Sequence, residues 1–72
     1  MGQHSQRDYQ VDLPDDLANP ARRALLQAGL RRLDQVSGQR EADLLQLHGI
    51  GPKAIEQLRR ALEARGKAFR KS

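Results

Sequence analysis

The sequence has no cysteine and no tryptophan, and only one tyrosine and one phenylalanine. Without cysteine there are no disulfide staples and no thiolate metal ligands, which fits a reducing compartment. β-Branched hydrophobics are limited to two Val and two Ile, too few to build a sheet. No long apolar run is present, so a membrane span is excluded and a membrane is not an expected partner. The polar stretch Met1 to Gln10 lacks the apolar region of a secretion signal, so a cytoplasmic location is expected. At 72 residues there is room for one modest core and no deep substrate cavity, so the chain is expected not to be an enzyme.

What is there favours helix. Leu and Ala supply 20 of the 27 hydrophobic residues. The net charge of +4 is unevenly spread. Residues 1–20 set Arg7 against Asp8, Asp12, Asp15 and Asp16. Residues 48–72 set Lys53, Arg59, Arg60, Arg65, Lys67, Arg70 and Lys71 against Glu56 and Glu63 alone. An acidic entry and a basic exit point to an anionic partner near the C-terminal half. The plainer alternative is a set of solvated, Arg-rich helix surfaces.

The chain reads as residues 1–11, a disordered lead that contains His4 and Tyr9; residues 12–66, one domain; and residues 67–72, a basic tail. Asn19-Pro20 supplies an N-cap and a proline for a first helix. Leu17, Ala21, Ala24, Leu25 and Ala28 form its apolar face, and Gly29 ends it. A short turn of helix is expected at Leu33 to Val36, before Ser37-Gly38. Another runs from Gln39 or Arg40 to Leu47, burying Leu44, Leu45 and Leu47. A last helix starts at Pro52, buries Ala54, Ile55, Leu58, Ala61 and Leu62, and closes at Gly66. The expected fold class is all-α, a compact bundle of four to five short helices.

The informative stretch is Leu47-His48-Gly49-Ile50-Gly51-Pro52-Lys53-Ala54. Two helices are joined here by about four residues, with a glycine on either side of one apolar residue. Ile50 can turn inward and plug the gap. Gly49 and Gly51 permit positive φ and leave the backbone bare. The turn feeds a helix N-terminus, whose first N–H groups lack intrahelical partners and, with the helix dipole, suit an anion. Pro52 has no N–H, so the donors fall to Gly49, Gly51, Lys53 and Ala54. Lys53 adds a point charge beside them. The plain alternative is an αα-turn with a glycine cap.

Leu47, Gly49, Ile50, Gly51 and Ala54 match in order the helix-hairpin-helix motif of DNA repair and recombination proteins, which this stretch resembles. The resemblance implies that the hairpin amides bind a DNA phosphate without reading sequence. Leu17 to Arg65 is also similar to the C-terminal domain of the bacterial RNA polymerase α subunit. The similarity runs through Glu41-Ala42-Asp43-Leu44-Leu45, the hairpin, and Ala61-Leu62-Glu63-Ala64-Arg65-Gly66. There are departures. Pro20 falls where that domain has a minor-groove Arg, Arg23 falls on a DNA-binding Asn, and Ala54 replaces a Ser after the retained Lys53. Resemblance of this extent implies the fold rather than promoter-element recognition. Met1 and the Lys71-Ser72 end are compatible with a complete small bacterial protein.

The resemblance also raises Schiff-base chemistry at Lys53, as in bifunctional glycosylases. That chemistry needs a base-flipping pocket and a remote carboxylate, which a chain this short does not supply. No catalytic residue, cofactor or metal is expected, since His4 and His48 are not a metal pair. His48 is either a phosphate contact or an exposed turn residue. Arg60 shares a helix side with Lys53 and Gln57, whereas Arg59 is placed to pair with Glu56 or Glu63. The expected DNA-binding set is Gly49, Gly51, Lys53, His48, Arg22, Arg23, Gln57 and Arg60, tracking the phosphate backbone of duplex DNA. The alternative is a protein-interaction module of the same fold, associated with transcription or DNA repair machinery.

Overall fold

The computed structural model describes residues 11–71. His4, Tyr9 and the rest of the lead up to residue 10 lie outside the described residues. The described residues form four helices and no strand: α1 (Asn19–Gln27), α2 (Leu33–Val36), α3 (Glu41–Leu45) and α4 (Pro52–Glu63). The protein is all-α, as its composition requires.

Chain punctuation sets most helix ends. Gly29 takes φ +81° just past α1. The Leu30 N–H then reaches back to the Leu25 carbonyl at 2.8 Å, and the Gly29 N–H to that of Leu26 at 3.0 Å, a Schellman closure. Gly66, at φ +72°, repeats this after α4, with Lys67 donating to Leu62 and Gly66 to Glu63. The start of α1 differs from the expectation. Ala18 is the N-cap, Asn19 is already helical, and no side chain caps the end. Pro20 still stands in the first turn, where its missing N–H costs no hydrogen bond. At α2, the Gln35 amide oxygen accepts the N–H groups of Arg31 and Arg32, so the fourth residue of the sequence Arg32-Leu33-Asp34-Gln35 caps its own helix.

The core gathers Leu13, Leu17, Ala21, Ala24, Leu25, Leu30, Leu33, Val36, Leu44, Ile50, Ala54, Ile55, Leu58 and Leu62. Ile50 is buried, as its place between the two hairpin glycines requires. Four residues expected in the core are not fully buried: Leu45 and Ala28 are exposed, and Leu47 and Ala61 are half-buried. Leu45 is 44% exposed, because α3 has only five residues and meets the core through Leu44, leaving the next residue about 100° around the helix. Leu47, brought back by the turn, is half-buried. Ala28, the C-cap of α1, is exposed.

Both ends of the described segment pack onto this body. The Asp12 N–H donates to the Arg31 carbonyl at 2.8 Å, and the Asp12 carboxylate takes both guanidinium nitrogens of Arg65, Nη2 at 2.6 Å from Oδ1. Residues 67–70 run back over the α2–α3 connection. Lys67 Nζ lies 3.2 Å from Asp34, the Arg70 N–H donates to the Gln39 carbonyl at 2.9 Å, and Phe69 packs against the core.

Candidate functional site

The turn between α3 and α4 is built on an asymmetry between its two glycines. Gly49 has φ +102°. A Cβ there would stand 2.7 Å from the Pro20 carbonyl oxygen, so the N-terminal end of α1 packs directly on the hairpin backbone. Gly49 is glycine because the fold requires it. Gly51 differs from the expectation of positive φ. It is the N-cap of α4, at φ −124° and ψ −175°, an extended conformation open to any residue. A Cβ there would meet nothing within 4 Å. Neither backbone strain nor packing demands glycine at this position.

The first N–H groups of α4 point out of the helix without acceptors. The earliest return bond of α4 is from the Ile55 N–H to the Gly51 carbonyl, at 3.1 Å. Among the described residues, the N–H groups of Gly51, Lys53 and Ala54 have no hydrogen-bond acceptor. These donors sit at the positive end of a 12-residue helix.

Two shallow grooves meet at Gly49. One, of about 250 Å³, lies between the approach to α1 and the start of α4, and includes Asp16, Gly49, Gly51, Lys53, Ala54 and Gln57. The other, of about 200 Å³, lies between α1 and the turn, and is lined by Pro20, Arg23, Ala24, Gln27, His48 and Gly49. The turn is therefore flanked by Lys53 on one side and by Arg23 with His48 on the other.

Ion pairing sorts the cations. Arg59 pairs with Glu41, Arg60 with Glu56 at 2.9 Å, Arg65 with Asp12, and Lys67 with Asp34. Lys53 and Arg23 have no carboxylate within 4 Å among the described residues. Both arginines are therefore ion-paired: Arg60, expected beside Lys53, is held by Glu56, and Arg59, expected to pair with Glu56 or Glu63, pairs with Glu41. Glu56 lies one turn back from Arg60, which does not line the groove with Lys53. Arg59 reaches across to α3, and its guanidinium carbon stands 5.9 Å from the centroid of the Phe69 ring.

Two other expected contact residues already make hydrogen bonds within the protein. The Arg22 guanidinium donates to the Pro14 carbonyl at 2.7 Å and is half-buried, which ties the 12–17 segment to α1. The Gln57 side-chain amide donates to the Asp16 carbonyl at 3.0 Å. That bond holds Asp16 at the wall of the Lys53 groove, a placement that sequence spacing did not signal. Gly49, Gly51, Lys53, Arg23 and His48 are brought together at the turn. Gln57 lines the Lys53 groove while bonded to Asp16, whereas Arg22 is tied to Pro14 and Arg60 to Glu56, away from both grooves.

Among the described residues no group of three His, Asp or Glu is placed to hold a metal ion. No helix of the described chain is long and apolar enough to cross a membrane. No family model, curated protein or solved structure matches this chain.

Proposed function

We propose that this chain is a non-enzymatic module that binds the phosphate backbone of duplex DNA at the turn between α3 and α4. The observation that carries the reading is the set of unpartnered N–H groups of Gly51, Lys53 and Ala54, behind a glycine that the fold does not require and beside an ammonium with no carboxylate partner. A phosphate seated there accepts hydrogen bonds from the main chain and charge from Lys53. Such contacts position a duplex without reading its bases.

The similarity of Leu47 to Ala54 to the helix-hairpin-helix motif supports the same reading. Duplex is favoured over single strand because single-strand binders stack bases on aromatic rings. The one aromatic among the described residues, Phe69, is half-buried beneath Arg59 on another face.

The test is a titration of the protein with random-sequence duplex at low salt, followed by amide chemical shifts. Gly51, Lys53 and Ala54 should shift first and most, with Arg23 and His48 alongside. Unmoved hairpin amides at saturating duplex would contradict the reading. A protein-interaction module is the second reading, favoured by the exposed Leu45 on α3. Absence of any duplex binding at low salt would favour it.

A further inference from the structure

The C-terminal segment does more than extend beyond α4. Its path is fixed by the Arg70 N–H bond to the Gln39 carbonyl, by Phe69 against the core, and by Lys67 on Asp34. The Gln39 carbonyl belongs to the peptide unit that leads into Arg40. This bond therefore sets the main chain of Arg70 beside that of Arg40, thirty positions away in sequence, with Lys71 following. All three are exposed. None has a carboxylate within 4 Å among the described residues, whereas the neighbouring Arg59, Arg65 and Lys67 each have one. Glu41, next to Arg40, is taken by Arg59.

Like charges brought together without counterions oppose folding unless an anion covers them. We propose that Arg40, Arg70 and Lys71 form a second contact surface for a nucleic-acid phosphate backbone, independent of the hairpin and assembled by the docked C-terminal segment. It rests on the proposed DNA-binding function for the identity of its partner. A backbone of regularly spaced phosphates suits it, because the cluster presents two guanidinium forks and an ammonium with no base-reading helix behind them. An acidic protein is the competing partner class.

The experiment measures affinity for a 30-base-pair random duplex across a salt series, for the full chain, Arg40→Ala/Arg70→Ala, Lys53→Ala and the combined variant. Alanine at Arg70 keeps the main-chain N–H that docks the segment, so the fold is retained; thermal melting verifies it. The double variant should bind more weakly and flatten the slope of log K against log salt by about two units, in the parent and Lys53→Ala backgrounds alike. Phe69→Ala, which frees the segment from its seat, should reproduce much of that loss while the chain stays folded.

An unchanged slope in the double variant overturns the proposal. So does a folded Phe69→Ala chain that binds as the parent does, because docking would then be irrelevant. Loss of polyglutamate binding with duplex binding intact overturns it in favour of an acidic protein. If Lys53→Ala is silent and the double variant is weakened, this surface stands and the hairpin reading falls. The reverse pattern separates them the other way.

Discussion

Gly49 and Pro20 are in backbone contact: a single added carbon on Gly49 would stand 2.7 Å from the Pro20 carbonyl oxygen. This contact fixes the N-terminal end of α1 against the hairpin and so decides where Arg23 lies relative to the turn. Gly49→Ala meets both a positive φ and that carbonyl. It should cost about 1–3 kcal/mol of fold stability from backbone strain alone, with the steric contact adding to it. Chemical denaturation of the variant at an unchanged m-value measures the loss.

Ile50 fills the space that the two glycines leave, and its N–H closes the turn onto the Leu47 carbonyl at 3.1 Å. Ile50→Ala should cost about 2–5 kcal/mol. Domains of this size have stability of about that order, so the variant should be largely unfolded near body temperature. A melting curve superimposable on that of the parent would remove Ile50 from the role of plug.

Asp12 closes the domain at its other end. The Arg65 guanidinium, hydrogen-bonded to the carboxylate, holds Asp12 below the usual carboxylate range, with the Leu33 N–H acting in the same direction. The depressed folded-state value means that the pair stabilises the fold above the pKa of the unfolded chain, about 4. That contribution is lost as pH falls through the lower folded-state value. Acid melting should therefore steepen below about pH 4. Asp12→Asn should flatten this dependence and lower the melting temperature at pH 7. The pair is well exposed, so the effect should be small.

Asp16 stands at the wall of the groove that holds Lys53, positioned by the Gln57 bond to its carbonyl. Its carboxylate repels a phosphate that enters there. Asp16→Asn keeps the carbonyl and removes the charge, so duplex binding should tighten by a few-fold at low salt, and the gain should shrink as salt rises. A fluorescence-anisotropy titration at two salt concentrations checks both points.

The helical frame was legible because its ends are written in local chemistry. Gly29 and Gly66 force left-handed exits, and Pro52 opens α4 where expected. Leu45 was misread because five residues are too few for periodicity to separate one face from the next. The partners of Arg22 and Arg59 were hidden, since Pro14 and Glu41 become neighbours only through tertiary packing. The docking of Phe69 was hidden for the same reason: a lone aromatic in a basic tail has no pattern to mark it. At the turn, the residues to watch were evident, but not the division of labour between the glycines. That division depends on where Pro20 lies, which no local pattern encodes.

The most direct test measures the salt dependence of duplex binding for the parent, Lys53→Ala and Gly51→Val. If the turn between α3 and α4 holds a phosphate, Lys53→Ala should flatten the slope of log K against log salt by about one unit, equally for every duplex sequence. Gly51→Val should weaken binding strongly while circular dichroism and melting stay close to the parent, because the space beside Gly51 is open and its backbone is extended. Unchanged slope in the first variant, together with unchanged affinity in a folded second variant, would contradict the account.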